Sequence, residues 1–375
     1  MTARTGRCYD AHVPLLNVLD YEELARKKLS QPFFDYIAGG ADDEVTLRRN
    51  REAFERIELK PRALVDVSVI DLSTNVLGQR VEMPVLLAPV AVQRLAHPEG
   101  ELATARAAAT AGTIMTLSTM ASASIEEVAA ASDGPKWFQL YVHRDREVSK
   151  RMVQRSEVAG YKAICLTVDV PRLGRRERDF RNRLEYPPGV AHRNYIGEVE
   201  LPPLEVGAGE SELSASADVL IDPSLTWDAI DWLRSFTSLP IILKGIMTAD
   251  DARLALDHAA SAIVVSNHGG RQLDGAPATI AVLPEVVAAI EGRCEVLLDS
   301  GIRRGTDVLK ALALGANAVL VGRAYIWGLA VSGEAGVTQV LSMLRNELEL
   351  AMALCGCRSV AEVSPEVVYS QRRPD

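Results

Sequence analysis

The sequence has few aromatic residues and few cysteines. Phe, Trp and Tyr make up 5% of the 375 residues, and there are five cysteines. The cysteines are scattered, and Cys355-Gly-Cys357 lacks the two-residue spacer that most zinc and redox motifs have. This usage excludes a disulfide framework and offers no metal site. We therefore expect five reduced thiols in a cytoplasmic protein.

Long apolar runs and an excess of positive charge are also lacking. No apolar run reaches the roughly 18 residues of a membrane helix, and residues 1–14 do not resemble a secretory signal. Acidic residues outnumber basic ones by 50 to 41, which gives a net charge of −9. Binding to nucleic acid requires a basic face, so the sequence predicts neither a nucleic-acid nor a membrane partner. A small anionic ligand remains compatible if basic residues gather locally.

What the sequence does contain is a recurrent short apolar run. Eight such runs end at residues 89, 117, 141, 169, 244, 266, 299 and 322. Runs of this kind predict strands buried on both faces, and helix-forming stretches such as 99–111 and 145–159 lie between them. Apart from the step from 169 to 244, the ends are evenly spaced. We therefore predict an α/β fold of the (β/α)8 TIM-barrel type.

The remaining segments are expected to surround this barrel within one domain, residues 1–375. Residues 1–80, with predicted helices at 21–28 and 42–57, form an N-terminal helical cap; 81–355 form the barrel, and 356–375 a C-terminal tail. The long step after the fourth strand contains a segment rich in Gly, Pro, Ser and Glu, residues 183–225. Such an insertion predicts a lid or binding loop, and a solvated excursion without a role is the alternative.

Polar residues gather at the predicted strand ends, where a barrel of this type has its active site. They are Pro89, Ser118, Tyr141, Asp169, Lys244, Ser266, His268, Asp299 and Arg323. After the last two strands, glycine and arginine recur together at Gly301 and Arg303 and at Gly322 and Arg323. Glycine lets backbone N–H groups approach an anion, and arginine clamps it. A phosphate site is therefore predicted, with plain tight turns as the alternative.

The strongest local motif is Ser-Asn-His-Gly-Gly-Arg-Gln at 266–272. Its histidine, His268, is a candidate general base, and Arg271 is a candidate partner for a carboxylate. Asp169 is expected to pair with His268 and to raise the pKa of its imidazole. A structural histidine in a glycine-rich loop is the alternative.

Two further cations have open roles. Lys244 is a candidate for a Schiff base, for stabilising a developing anion, or for a structural salt bridge. Arg176 is either a second arginine near the lid or an ordinary surface charge.

Taken together, these motifs resemble the FMN-dependent L-2-hydroxy acid oxidases and dehydrogenases, a family that includes glycolate oxidase and lactate oxidase. The resemblance extends from Asp-Tyr-Ile-Ala-Gly-Gly at 35–40 to Gly-Cys-Arg-Ser at 356–359 and is most specific at 266–272. Also similar are Ala-His-Pro-Glu-Gly at 96–100, Gln-Leu-Tyr at 139–141, Thr-Val-Asp at 167–169 and Arg-Arg-Gly-Thr-Asp at 303–307.

The resemblance implies an FMN cofactor at the barrel mouth. Its phosphate would lie at Gly301, Arg303, Gly322 and Arg323, with Ser300 in the same loop and Asp299 on the ribityl chain. The residues implied for the isoalloxazine ring are Ala88, Pro89, Val90, Ala91, Ser118, Gln139, Thr167 and Ser266. Lys244 would lie near N1 and the C2 carbonyl, where negative charge grows on reduction.

The resemblance also implies a reaction, the oxidation of an L-2-hydroxy acid to the 2-oxo acid with O2 reduced to H2O2. Arg271 and Arg176 would bind the substrate carboxylate, assisted by the hydroxyls of Tyr36 and Tyr141. The residue implied as proton acceptor is His268, with Asp169 supporting its charged form. Homo-oligomers, tetramers or octamers, are implied as well.

Some positions depart from the glycolate oxidase pattern. Met120 replaces a usual tryptophan and Val90 a usual threonine, so a substrate larger than glycolate, such as lactate or a longer 2-hydroxy acid, is expected. Ser300 replaces a common glycine of the phosphate loop, but Gly301 remains. Ala91 resembles oxidases more than mandelate dehydrogenases, which favours O2 as acceptor. The alternatives are a quinone-linked dehydrogenase and a non-redox barrel enzyme, either an aldolase that uses Lys244 or an FMN-binding isomerase.

Overall fold

The computed structural model describes residues 14–199, 215–216 and 219–369. Cys8, the central part of the predicted lid and the last residues of the predicted tail lie outside these ranges. The four other cysteines are free thiols, in keeping with the prediction. Within the described ranges, no helix combines the length and the apolar character needed to cross a membrane.

The described residues form ten strands and twelve α-helices. The strands are β1 Thr74–Val76, β2 Gln79–Val81, β3 Val85–Leu87, β4 Met115–Ser118, β5 Lys136–Leu140, β6 Ile164–Thr167, β7 Ile241–Ile246, β8 Ala262–Val265, β9 Glu295–Leu298 and β10 Ala318–Val321. The helices are α1 Val18–Lys28, α2 Gln31–Ala38, α3 Val45–Glu55, α4 Gly100–Thr110, α5 Ile125–Ala131, α6 Arg146–Val158, α7 Glu177–Asn182, α8 Asp228–Arg234, α9 Ala249–Asp257, α10 Thr279–Ile290, α11 Gly305–Ala313 and α12 Arg323–Cys355.

Strands β3 to β10 close into an eight-stranded parallel barrel. Each strand pairs with its neighbours in sequence, and β10 closes the barrel by pairing with β3. Inward-facing side chains fill the interior, among them Leu86, Trp137, Cys165, Ile242, Val264, Leu297 and Leu320. Since the opposite face of each strand packs against helices, the strands are buried on both faces, and the predicted TIM barrel is confirmed.

The amino end of the barrel is covered by a hairpin that the sequence patterns did not predict. Strands β1 and β2 pair antiparallel, and their inward residues Val76 and Val81 join the cluster that fills the barrel. Each strand has only three residues, too few to show a periodic pattern.

The N-terminal cap has three helices, one more than predicted. α2 occupies residues between the two predicted helices, with Pro32 in its first turn, where its missing N–H costs nothing. Its end at Gly39 leaves the last carbonyls of the helix free of intrahelical partners, and these carbonyls face the barrel mouth.

The long C-terminal helix α12 bends back on itself. Its backbone departs from helical geometry at Ser332 and Gly333, and the two halves cross where Gly328 meets Gly336. A Cβ at Gly336 would overlap the Gly328 carbonyl oxygen, so the backbones touch directly. This crossing holds the first half of α12, which begins at Arg323, against the carboxyl end of β10.

We expect Gly336→Ala to destabilise the protein, because its methyl group would force the two halves of α12 apart. The loss should be about 1–3 kcal/mol, the usual range for overpacking a tight core. The control is Ala335→Ser, which also adds one heavy atom but at an exposed position of the same helix. Urea unfolding followed by circular dichroism measures both, and equal midpoints for the two variants would contradict the close crossing.

Candidate active site

The carboxyl ends of the strands surround a deep cavity that is open on one side. It encloses about 1120 Å³ of atom-free space, including its open mouth. It is lined by Tyr36, Ile37, Ala88, Pro89, Val90, Ala91, Ser118, Met120, Gln139, Tyr141, Thr167, Leu173, Arg176, Ile221, Lys244, His268, Gly269, Arg271, Asp299, Ser300, Gly301, Ile302, Arg303, Leu320, Val321, Gly322, Arg323 and Ile326. Every site residue predicted from the sequence is among them except Ser266 and Asp169.

Two arginines of the cavity wall are bound by the carbonyl end of α2. Arg271 donates to the carbonyls of Tyr36 and Gly39 at 2.6 and 3.0 Å. Arg323 donates to Ile37, Gly39 and Gly269 at 2.8 to 2.9 Å. A helix carries partial negative charge at its C-terminus, so the N-terminal cap stabilises cations that belong to the far end of the chain.

Arg303 and Arg323 form a cationic corner without a counterion. Neither guanidinium makes a salt bridge to a carboxylate among the described residues, and burial lowers the pKa of both. Arg323 uses three of the five N–H donors that a guanidinium has, so two remain. The first turn of α12 adds the positive end of its dipole beside Gly322. An anion with several oxygen atoms fits this corner.

The glycines of this corner serve two different purposes. Gly301 has a φ of +95°, and a Cβ there would overlap the Asn50 carbonyl, so its requirement for glycine comes from packing against α3. A Cβ at Gly322 would meet only ordinary contacts at 3.8 and 3.9 Å, so this backbone is open toward the cavity. Gly301 therefore allows close packing of its loop against α3, whereas Gly322 leaves its backbone accessible to an anion.

Ser300, the residue that departs from the family pattern, connects two loops. Its hydroxyl donates to Asp299 at 2.7 Å and accepts from the Gly269 N–H at 3.0 Å. Its φ of +75° lies in the left-handed region, which costs an L-residue roughly 1–2 kcal/mol. The two hydrogen bonds offset part of that strain and tie the loop after β9 to the loop after β8.

Lys244 is buried and paired at the end of β7. Its ammonium lies 3.1 Å from a carboxylate oxygen of Asp299 and donates to Ser266 Oγ at 2.9 Å. Burial alone would lower its pKa, but Asp299 and Asp169 together raise it above the usual value for lysine. The amine therefore stays protonated, and it forms a salt bridge with Asp299. Ser266 lies behind Lys244, which explains its absence from the cavity wall.

His268 is held by a carboxylate on one side and faces a phenol on the other. Its Nδ1 lies 3.1 Å from Asp169, and its Nε2 lies 3.4 Å from the Tyr141 hydroxyl. The predicted pairing with Asp169 is confirmed. Because an ionised carboxylate accepts, Nδ1 carries the proton, and Nε2 keeps a lone pair that accepts from the Tyr141 hydroxyl.

Asp169 raises the pKa of His268, as predicted, but the net shift of this pKa is downward. Burial lowers the pKa of the imidazole more than Asp169 raises it, and Lys244 lowers it further. Burial raises the pKa of Asp169, but His268 and Lys244 lower it by more, so this carboxyl stays ionised. At neutral pH the pair is thus a neutral imidazole beside a carboxylate, ready to accept a proton at Nε2.

The backbone at two strand ends brings this pair together. β7 has an irregular register between Lys244 and Ile246, and Gly245 there has a φ of +119°. A Cβ at Gly245 would lie 2.6 Å from Asp169 Cβ, so glycine makes room for the carboxylate. His268 itself has a φ of +59°, an uncommon value for a non-glycine residue that is typical of functional loops.

An amide pair anchors the histidine loop from below. Asn267 and Asn50 exchange two side-chain hydrogen bonds at 2.8 and 2.9 Å, and Asn267 also donates to the Pro277 carbonyl. Asn50 lies in α3, far from the loop in sequence, and no local pattern marks it. Sequence analysis missed it for that reason.

Arg271 and Arg176 form a second cationic group, opposite His268. The guanidinium carbon of Arg271 lies 5.1 Å from the Tyr36 ring centroid, and burial together with Arg176 lowers its pKa to about 10. Arg176 is 6% exposed, which excludes an ordinary surface charge, and its buried Nε has no hydrogen-bond partner among the described residues. Two buried guanidiniums with spare donors can bind a carboxylate.

One wall of the cavity is formed by the backbone after β3. Residues 88–91 line it, and the Tyr325 hydroxyl donates to the Ala88 carbonyl at 3.0 Å. Gln139, on the floor, donates to Thr167 and accepts from the Thr119 N–H. These polar groups border a space whose ends are the cationic corner and His268.

Apolar side chains close the outer part of the cavity. Met120 lies there together with Leu173 and Ile221, and Met120 is 3% exposed. Leu173 and Ile221 were not predicted. The only feature of the sequence that could have indicated them is their position near the two ends of the insertion. Ile37, Ile302 and Ile326 were also missed because they are ordinary apolar residues in sequence.

The comparisons with known proteins agree with this geometry. A family model described as FMN-dependent dehydrogenase matches residues 25–370. The chain is 54% identical to an L-lactate oxidase of Nostoc sp., with 94% of this chain and 98% of that protein covered. It is 55% identical to Glycolate oxidase 3 of Arabidopsis thaliana, with 93% and 95% covered.

A solved structure supports the same assignment. Mandelate oxidase with (S)-4-hydroxymandelic acid superposes with a TM-score of 0.89 at 46% identity, covering 95% of this chain and 98% of that chain. The family description names FMN, and the cavity has a cationic corner at one end and a base at the other. The chain therefore belongs to the FMN-dependent dehydrogenase family and, within it, to the FMN-dependent 2-hydroxy acid oxidases.

Proposed function

We propose that this enzyme oxidises an L-2-hydroxy acid, (S) at its alcohol carbon, to the 2-oxo acid and passes the electrons to O2, which forms H2O2. The observation that carries the proposal is the neutral imidazole of His268, held by Asp169 opposite the guanidiniums of Arg271 and Arg176. A base and two carboxylate-binding groups in one cavity match the two functional groups of a 2-hydroxy acid.

The cavity residues fit FMN. The uncompensated guanidiniums of Arg303 and Arg323 suit its phosphate, and the residues 88–91, Ser118, Gln139 and Thr167 suit its ring. Asp299 and Ser300 are proposed for the ribityl and phosphate ends of the same site. When bound, FMN supplies the acceptor for the two electrons that leave the substrate.

Substrate orientation is assigned to the cationic group around Arg271. Arg271 and Arg176 together would bind the carboxylate, and the unpartnered Arg176 Nε is the free donor that such a ligand would use. Burial raises the pKa of both Tyr36 and Tyr141, so their hydroxyls stay protonated and can donate to the substrate. The bound carboxylate would also relieve the repulsion between the two guanidiniums.

His268 is proposed as the group that takes a proton from the substrate. Its Nε2 lone pair faces the cavity, and protonation creates an imidazolium 3.1 Å from the Asp169 carboxylate. Lys244, permanently charged, stabilises negative charge on the neighbouring part of the cavity. A charged amine is a poor nucleophile, which argues against an aldolase that forms a Schiff base at this lysine.

Met120 and Val90 favour a substrate larger than glycolate, because they present flexible or small apolar groups to the outer cavity. Lactate or a longer 2-hydroxy acid is therefore the proposed substrate. The named relatives do not decide this point, since a lactate oxidase and a glycolate oxidase are equally similar. O2 as acceptor rests on the oxidase names of the relatives and on Ala91, and a quinone-linked dehydrogenase is the second candidate.

A cytoplasmic location and a tetrameric or octameric assembly stay predictions. The first is supported by four free thiols with no pairing between them. The second rests on resemblance to the family alone. Residues 1–375 are likewise proposed to act as one domain.

His268→Gln should keep the bound yellow flavin and lose most turnover. Removing a general base lowers the rate by about 10² to 10⁴-fold, so we expect kcat to fall by at least about 100-fold. The measurements are oxygen consumption with L-lactate and the flavin absorbance of the purified variant. His258→Gln, which changes a histidine outside the cavity, is the matched control. Full activity of His268→Gln would remove the assignment of the base.

The pH profile of kcat/KM should have an acidic limb below the ordinary histidine range. The base must be neutral to accept a proton, and burial lowers the His268 pKa, so activity falls only as pH drops through that lowered value. Asp169 raises this pKa, so Asp169→Asn should shift the limb to still lower pH while reducing kcat. A shift of the limb to higher pH in that variant would contradict the electrostatic role of Asp169.

Met120→Trp should shift preference toward glycolate, because the larger ring would fill the outer cavity. The measurement is the ratio of kcat/KM for glycolate to that for lactate and 2-hydroxyoctanoate, with O2 and separately with an artificial acceptor. We expect a change of about tenfold or more, the effect of a methylene-sized difference in an apolar pocket. Val158→Trp, at an exposed position, controls for the added ring. An unchanged ratio would show that Met120 does not shape the substrate pocket.

A further inference from the structure

The first part of the insertion after β6 is bound to the loop that carries Met120. Residues 192–194 reach across to residues 118–121, between β4 and α5, and contact four consecutive carbonyls there. The Asn194 amide donates to Ser118 and Thr119 at 3.3 and 3.2 Å. The Arg193 N–H donates to Ala121 at 2.9 Å.

The fourth carbonyl is that of Met120 itself. It accepts from the Val92 N–H at 3.0 Å and lies 3.4 Å from His192 Nδ1. Burial lowers the pKa of His192 to about 4, so its ring is neutral, and a carbonyl partner requires the proton on Nδ1. The backbone of Met120 is thus held from two sides, by the loop after β3 and by the insertion.

Asn194 is the centre of this contact. Its side chain is fully buried, and its Oδ1 accepts from the Ile125 N–H at 2.9 Å while its amide nitrogen binds two carbonyls. One side chain therefore satisfies the Thr119 carbonyl and the Ile125 N–H, and it shares the Ser118 carbonyl with the Ala121 N–H. Removing it leaves the Thr119 carbonyl and the Ile125 N–H buried and unpaired unless the loop moves.

Movement of residues 118–121 would carry Met120 with it. Thr119 also connects this loop to β5, since its hydroxyl donates to the Gln139 carbonyl and accepts from the Tyr141 N–H. Because Thr119 is held to β5, a shift of residues 118–121 would displace mainly Met120, the next residue along the chain. Methionine has a flexible side chain, so the position of its backbone decides where the wall of the cavity stands.

We propose that Asn194 is a positioning residue for substrate selectivity that acts through Met120. It lies outside the cavity wall and touches neither substrate nor cofactor in the proposed binding mode. The inference rests on the proposed function, because it takes Met120 as the wall that meets the substrate side chain. It gives the described start of the insertion a task other than covering the mouth, namely to fix the width of the pocket.

The test is a double-mutant cycle that joins Asn194→Ala to Met120→Ala. The readout is the ratio of kcat/KM for 2-hydroxyoctanoate to that for L-lactate, measured on flavin-loaded enzyme. We expect Asn194→Ala to change this ratio in the same direction as Met120→Ala and by at least about threefold, as for coupled neighbours. In the Met120→Ala background, Asn194→Ala should add no further change.

Two single-residue controls separate positioning from general damage. Arg193→Ala removes a half-exposed side chain next door but keeps the N–H that binds Ala121, so it should leave the ratio unchanged. Asn194→Asp keeps the acceptor for Ile125 and replaces the donor by an oxygen facing two carbonyls, so it should change the ratio as Asn194→Ala does.

A second pair of variants covers the case in which Asn194→Ala does not fold. His192→Phe keeps an aromatic ring but loses the donor to the Met120 carbonyl, whereas His192→Gln retains a donor. The phenylalanine variant should change the ratio and the glutamine variant should not.

The outcomes separate this inference from the proposed function. If Met120→Ala changes the ratio but Asn194→Ala does not, Asn194 has no positioning role. An Asn194→Ala effect that is equally large in the Met120→Ala background would mean that it acts elsewhere, and it would overturn the proposal. If Met120→Ala itself leaves the ratio unchanged, the pocket assignment falls first and takes this inference with it.

Discussion

The site depends on keeping a dense group of buried cations at one end of the barrel. They are Lys244, Arg176, Arg271, Arg303 and Arg323. Burying a charge without a partner costs several kcal/mol, and like charges so close repel one another. The chain places two carboxylates, Asp299 and Asp169, beside Lys244, and carbonyls at the end of α2 accept from Arg271 and Arg323. Asp179 offsets part of the charge of Arg271 and Arg176, but Arg303 and Arg323 make no salt bridge among the described residues. This excess of positive charge supports the proposal of anionic ligands.

The same neighbours shift the pKa of two basic groups in opposite directions. Asp169 interacts with both Lys244 and His268, and burial lowers the pKa of both. Lys244 has a second carboxylate, Asp299, within 3.1 Å, so the balance favours its charged form. His268 has only Asp169 and also feels the positive charge of Lys244, so its neutral form is favoured. The additional carboxylate, Asp299, therefore separates the two groups: Lys244 is a fixed charge, whereas His268 can accept a proton.

Much of the barrel and its chemistry could be predicted from the sequence, because both are encoded locally. Each strand is a continuous apolar run, and parallel strands bring their polar ends to one edge. The motif at 266–272 contains base, turn and arginine within seven residues. These features require no knowledge of distant contacts.

What could not be predicted depends on contacts between distant segments. α2 was missed because it is short, with eight residues from Gln31 to Ala38, and because its carbonyls bind arginines more than 230 residues away. Asp169 raises the pKa of His268 as predicted, but the larger lowering by burial could not be predicted because burial is a property of the folded cavity. Asn194 gave no signal, since an asparagine in a polar loop is ordinary until its three backbone partners are known.

The charged groups of the site and the apolar wall at Met120 are held in place by different kinds of interaction. His268, Lys244 and the arginines are fixed by charge, so replacing one of them alters the pKa values of the others. The wall at Met120 is fixed by neutral hydrogen bonds between two loops, none of which involves a charged group at the barrel mouth. Coulomb interactions act over longer distances than these hydrogen bonds do. In the proposed function, substrate preference can therefore be altered through the insertion while the protonation states of His268 and Lys244 stay as they are.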